Sequence, residues 1–166
     1  MFKVNDKVNY STTGVCEITE IAAREFGGEK REFYILRPVF DSAATVMVPT
    51  DNEILTSRMR PLLSKAQIEQ VVSLVCELEP LWYNDDRERY ENYKKCLLSN
   101  DRKVLLSLIK ALYIHQKSQV EKGRKLKNSD ERTLREAEKI LFSEIAFIMG
   151  GDPHEALKSV KGEILK

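Results

Sequence analysis

The amino-acid sequence predicts an α+β protein in two parts, a small β barrel over residues 1–60 followed by a compact five-helix domain over residues 61–166. Three observations carry that prediction. Over the first 60 residues, short runs alternate apolar with polar residues and are separated by glycine, proline and aspartate. From Pro61 the turn residues thin out and the apolar spacing becomes three and four, the period of a helix. The charge also divides along the chain, although its net value is only +1. Residues 1–62 carry 8 basic and 9 acidic residues, whereas residues 87–127 carry 12 basic and 4 acidic ones, a net of +8.

The strands come first. Lys7-Val8-Asn9-Tyr10 alternates, and Gly14 opens a second run, Val15 to Ile21, with Val15, Glu17, Thr19 and Ile21 on one face. Gly27-Gly28 marks a turn, because glycine reaches positive φ without steric cost. Phe33 to Leu36 forms a third strand closed by Pro38, and Asp41 to Ala44 turns the chain into Thr45-Val46-Met47-Val48-Pro49. Alternation places Val46 and Val48 on one face and Met47 on the other. Four or five short strands joined by tight turns suggest a curled barrel of the SH3 or Tudor kind, which offers partners an edge or groove and has too little core for a deep pocket.

The helices follow. Ser64-Lys65-Ala66-Gln67 has the form of a capping box, and Ile68, Val71, Val72, Val75 and Leu78 form a face ending before Pro80. A second helix over 85–98 turns Tyr90, Tyr93, Leu97 and Leu98 inward, with Asp85-Asp86 at its N-terminus, where carboxylates favour the helix dipole. Asn100 or Asp101 caps a third, whose face is Val104, Leu105, Leu108, Ile109, Leu112 and Tyr113, stopping near Gly123. Ser129 opens a fourth through Leu134, Ala137, Ile140, Leu141, Ile145 and Ile148 to Gly150-Gly151. Asp152-Pro153-His154-Glu155 starts a fifth, with aspartate as cap and proline in the first turn.

The chemistry-bearing residues do not assemble into a catalytic motif. His115 and His154 are far apart, with no HxxxH spacing, and Cys16, Cys76 and Cys96 offer neither a CxxC pair nor a disulfide framework. They read as reduced thiols. Gly27-Gly28 lacks the context of a phosphate-cradling loop. These patterns predict a non-catalytic binding protein with no cofactor and no metal. No apolar run is long enough to span a membrane, and the N-terminus lacks the basic segment and apolar run of a secretory signal, so a cytoplasmic location is expected. The positive potential of residues 87–127 favours an anionic partner.

Three stretches carry a family resemblance. They are Met1-Phe2-Lys3-Val4-Asn5-Asp6-Lys7-Val8-Asn9-Tyr10 with Gly14-Val15, then Gly27 to Leu36 with Thr45 to Pro49, then Leu112-Tyr113, Gly123-Arg124-Lys125-Leu126 and Ser129-Asp130-Glu131 through Glu144. In order and spacing they resemble the CarD (CdnL) family of bacterial transcription regulators, over nearly the whole chain. The resemblance implies a Tudor-like RNA-polymerase-interacting domain over residues 1–60, docking on the polymerase β subunit mainly through a strand edge. It implies a helical domain over 61–166 that reaches promoter DNA at the upstream edge of the melted bubble and modulates the open complex, placing the protein at the nucleoid through polymerase.

Carried onto this chain, the polymerase contact falls on Arg24 (placed shortly after the second strand), Lys30, Arg31, Val46, Met47 and Pro49. Met47 stands where several relatives place a basic residue. The DNA contact falls on Trp82, Arg87, Arg89, Lys117, Lys122, Arg124, Lys125 and Arg132. Trp82, the single tryptophan, lies seven residues before Arg89-Tyr90, where the family pattern places its tryptophan three before. Two roles stay open for it, a wedge between base steps and an anchor at a helix junction. Two functions also stay open: a regulator bridging polymerase and promoter, and an adaptor whose helices bind another protein. Oligomeric state is not encoded in any of these features.

Overall fold

Gly27 and Gly28 both adopt positive φ, 63° and 81°, the pair of left-handed residues that a two-residue hairpin turn requires. They join β2 (Gly14–Phe26) to β3 (Glu29–Pro38). With β1 (Lys7–Tyr10), β4 (Val46–Pro49) and β5 (Met59–Pro61) these form one antiparallel sheet in the order β4-β3-β2-β1-β5. The computed structural model describes residues 1–99 and 101–165 and divides into two compact units, Met1–Leu62 and the chain from Leu63 onward. The α+β class is observed.

The sheet differs from the expected barrel in four respects. Among the described residues β4 and β5 do not pair, so the ladder is open at its two edge strands. Their connection carries a one-turn helix, α1 (Glu53–Thr56), which the sequence did not predict; Asn52 Oδ1 caps it by accepting from Leu55 N at 3.0 Å. The strand β5 was also unforeseen, because three residues ending in proline give almost no alternation. Finally, β2 runs five residues beyond Ile21 and its alternation is broken by a register shift between Ile18 and Glu20. A bulge inserts one residue and reverses which side chains face the core. Cys16 and Ile18, before the bulge, and Ile21, beyond it, therefore all pack into the core, so Val15, Glu17, Thr19 and Ile21 do not share one face; Val15 is buried as well, at 1% exposure. Cys16, Ile18 and Ile21 meet Val8, Tyr10, Tyr34, Leu36, Val48 and Met59 in the core of the first unit.

In the second unit α2 (Lys65–Ser73) opens with the expected capping box, Gln67 N donating to Ser64 Oγ at 3.3 Å and Ser64 N to Gln67 Oε1 at 2.9 Å. It tightens into a 3₁₀ turn at Leu74–Cys76. There Lys110 Nζ donates to the carbonyls of Val75, Cys76 and Leu78 at 3.0, 3.0 and 2.8 Å. One ammonium thus satisfies three acceptors that the helix end leaves unpaired. Four helices follow: α3 (Asp86–Ser99), α4 (Arg102–Glu121), α5 (Asn128–Met149) and α6 (Pro153–Ile164). The described residues therefore hold six α-helices, five of them in the second unit. The cap of α4 is Asp101, which accepts from Lys103 N and Val104 N; Asn100, the alternative, lies outside the described residues.

The core of this unit is built from Leu105, Leu108, Ile109 and Leu112 of α4 against Ala137, Ile140 and Leu141 of α5, all fully buried. Burying one such aliphatic side chain stabilises the fold by roughly 1.5–3 kcal/mol. Glu144 of α5 is also fully buried and is satisfied three times, accepting from Leu63 N (3.0 Å) and from Arg102 Nε (3.1 Å) and Nη2 (2.6 Å). Two residues expected inward on α3, Tyr90 and Leu98, are exposed at 54% and 40%; only Tyr93 and Leu97 of that set are buried. The reason is angular: Tyr93 and Leu97 share a stripe at i,i+4, and Tyr90 and Leu98 fall on its two flanks.

Candidate functional site

In the first unit the expected contact residues divide between an edge strand and a hairpin. In β4, Val48 is fully buried, Val46 packs against the core, and Met47 points outward at 44% exposure. Pro49 is half-buried opposite Phe33. Arg24 lies within β2, not after it, because the strand continues to Phe26. There it stands directly across from Arg31 of β3, and Glu25 stands across from Lys30. Two arginines opposite one another repel. Each is compensated locally, Arg24 by Glu20 at 3.0 Å and Arg31 by Glu29 at 2.6 Å. The hairpin thus carries exposed, alternating charge, and the edge carries one exposed methionine.

In the second unit a network forms where the α3 N-terminus, the segment before it, α4 and the start of α5 converge. Asp85 Oδ1 accepts from Glu88 N at 2.8 Å, the N-cap role expected of the carboxylate pair. Arg89 is 3% exposed. Its Nε and Nη2 donate to the two carboxylate oxygens of Asp130, each at 3.1 Å, Nη1 donates to Tyr83 O at 2.8 Å, and Nη2 also to Asp86 Oδ1 at 2.6 Å. Arg89, expected among the DNA-facing cations, is instead the centre of a buried ion pair, and its charge is consumed within the fold. Asp86 also takes a hydrogen bond from Lys127; Lys127 first and Arg89 second hold its carboxyl below the usual carboxylate range.

Trp82 packs into the same network. Its indole stacks on His115 with ring centroids 4.1 Å apart and planes at 27°, and the Arg89 guanidinium carbon lies 4.6 Å from its centroid. Its Nε1 donates to Asn84 Oδ1 at 3.2 Å. The ring is half-buried and packs against the helical core. Burial pushes the His115 imidazole below its ordinary value; the Asp130 carboxylate works against that, and Arg89, Lys122 and Lys127 add to it.

Around this network the remaining cations face solvent. Arg87 is exposed at the start of α3, Lys117 near the end of α4, and Lys122, Arg124 and Lys125 in the α4–α5 turn. Among the described residues none of these five pairs with a carboxylate, whereas Arg132 on α5 donates from Nε to Glu136 Oε1 at 3.1 Å. A turn rich in cations after the α4 C-terminus is also favoured by the helix dipole. Sequence reasoning missed Tyr90, whose exposed ring lines a groove with Lys94 and Arg132. Its signal was its spacing of three from Tyr93, which puts it beside the buried stripe. Among the described residues no group of three or more His, Cys, Asp or Glu side chains is placed to hold a metal ion, and no helix is long and apolar enough to cross a membrane. The three cysteines are free thiols, Cys16 buried, Cys96 half-buried and Cys76 exposed.

Residues 2–63 match the family model of the CarD-like/TRCF RID domain. The chain is also 26% identical over 152 residues, covering 90% of this chain and 94% of the relative, to a protein of Bacillus subtilis (strain 168) named "Putative transcription factor YdeB".

Proposed function

We propose that this chain, a CarD-like protein whose residues 2–63 form a CarD-like/TRCF RID domain, is a transcription regulator that docks on RNA polymerase through its first unit and contacts promoter DNA through its second. Docking on the β subunit would use β4, where the outward Met47 and the edge backbone offer a strand-addition surface beside the charged hairpin of Arg24, Lys30 and Arg31. The observation that carries the DNA part is the set of exposed cations without carboxylate partners, Arg87, Lys117, Lys122, Arg124 and Lys125, around the ends of α3 and α4. Such groups neutralise phosphates and position a duplex without reading its sequence. Held at the upstream edge of the bubble by polymerase, they would alter the lifetime of the open complex.

A second reading is favoured by the burial of Arg89 in an ion pair and by the stacking of Trp82 on His115, which engage two of the expected DNA contacts within the fold. In that reading the helices bind a protein and the chain is an adaptor on polymerase. Binding of the full chain to forked promoter DNA across a salt series separates the two. The DNA reading expects affinity to fall with a slope of roughly −0.9 per neutralised duplex phosphate, and the Arg124→Ala, Lys125→Ala double variant to flatten that slope. Binding indifferent to salt, or none, leaves the adaptor.

A further inference from the structure

We propose that the groove between α3 and α5 holds an unpaired base of single-stranded nucleic acid, with Tyr90 as its stacking platform. The proposal rests on the DNA reading above and assigns it a second contact, distinct from the phosphate-facing cations. The groove has a volume of about 420 Å³, within the range of clefts that hold small ligands. Tyr90 and Lys94, one turn apart on α3, form one wall. Asn128, Ser129, Arg132 and Glu136, on successive turns of α5, form the other.

The aromatic is the first argument. Tyr90 is 54% exposed, whereas Tyr93 on the same helix is buried and donates its hydroxyl to Leu81 O at 2.9 Å. The Tyr90 ring is thus available to stack. Trp82, the ring expected to meet bases, already stacks on His115.

The polar groups are the second argument. Lys94 is exposed, and the Arg132 side chain is 80% exposed. Its Nε is tied to Glu136, which orients the guanidinium; among the described residues its Nη nitrogens donate to no protein acceptor. Two cations beside an uncovered ring match a base with its flanking phosphates, because every base has a face to stack and every linkage a charge to neutralise. The Asn128 amide, the Ser129 hydroxyl and the Glu136 carboxylate supply a donor–acceptor set for the base edge. A base inside a duplex has both faces stacked and cannot enter, so the site selects an unpaired strand.

The test uses the full chain and a fluorescently labelled oligothymidine of about twelve nucleotides, a length that spans one such site. Tyr90→Ala should weaken binding about tenfold or more, while Tyr90→Phe and Tyr90→Trp retain it, since stacking needs the ring and not the hydroxyl. Blunt duplex affinity and melting temperature should be unchanged in Tyr90→Ala, because the ring lies outside the core. Lys94→Ala and Arg132→Ala should each weaken oligothymidine binding and lower its salt dependence. Oligothymidine binding that ignores Tyr90→Ala, or a variant that loses duplex binding equally, overturns the proposal. A chain that binds forked or duplex DNA with a salt slope but not oligothymidine overturns this site alone; one that binds none of them overturns the DNA reading as well.

Discussion

The imidazole of His115 lies 4.1 Å, centroid to centroid, from the indole of Trp82, the single tryptophan in the chain. The fluorescence of this protein therefore reports on one ring and its neighbour. Protonated imidazole quenches a stacked indole, so emission should fall as the pH is lowered through the His115 pKa. That midpoint should lie below the ordinary histidine value of 6.5, because burial disfavours the charged ring. His115→Gln should remove the inflection while keeping the emission of the high-pH form.

The same shift has a stability sign. Below pH 6.5 the unfolded chain takes up a proton that the folded His115 still refuses. Its contribution is complete above 6.5 and is lost as the pH falls through the window down to the depressed folded value. Denaturant titrations of the full chain should show this loss, and His115→Gln should not. Asp86 acts at lower pH: with its folded pKa depressed by Lys127 and Arg89, its contribution is present above 3.8 and lost as pH falls through the depressed value.

Arg89 and Asp130, 3% and 6% exposed, form a two-oxygen ion pair that only a planar fork can make. Arg89→Ala should destabilise the chain by about 3–5 kcal/mol, because it leaves a buried carboxylate unpaired. Arg89→Lys should recover little, since an ammonium cannot meet both oxygens of Asp130 and Tyr83 O together. Arg89→Met combined with Asp130→Leu should be far milder than either single change. Urea midpoints for the set decide this; equal losses in the double variant and the singles would argue against the pair as the unit of stability.

The fate of Arg89 shows what the sequence could and could not disclose. Helix periods, the Ser64 and Asp152 caps and the Gly27-Gly28 turn were legible because each depends on residues close in the chain. The alternation of Val46, Met47 and Val48 was legible for the same reason. Arg89 was not, because its partner Asp130 lies 41 positions away and a buried arginine looks like a surface one in a basic stretch. The bulge after Ile18 was hidden because one inserted residue changes parity without any composition signal. Counting apolar residues puts Tyr90 inward, whereas the buried stripe of α3 is Arg89, Tyr93 and Leu97. The exposed cations of the α4–α5 turn needed no tertiary knowledge, since a polar turn between long helices has nowhere to go but solvent.

The proposed docking surface can be tested in the full chain. Met47→Glu places a charge on the exposed face of an edge strand whose inward neighbours stay in the core, so folding should be kept and polymerase binding weakened about tenfold. Arg24→Glu should weaken it by roughly 1 kcal/mol or more if the hairpin meets an acidic surface. The latter change also places two carboxylates together at Arg24 and Glu20, so melting curves must accompany the binding measurement. Unchanged affinity in both variants would move the contact away from β4 and the hairpin.

Trp82 carries the last prediction. Its indole is half-buried, stacks on His115, lies beside Arg89 and donates to Asn84. Removing it takes away packing area next to a buried ion pair and leaves the His115 ring uncovered. Trp82→Ala should therefore lower the stability of the chain by about 2 kcal/mol, below the 3–5 kcal/mol of a fully buried aromatic. Trp82→Phe should recover most of that, because a phenyl ring keeps the stack and loses only the Asn84 hydrogen bond. A wedge between base steps predicts another pattern: intact stability, intact polymerase docking, and a shortened open-complex lifetime in both variants. Melting temperature and open-complex lifetime, measured on the same two proteins, assign the residue. A lifetime defect without a stability loss would make Trp82 a DNA contact that leaves its stack on His115 to meet the bubble edge.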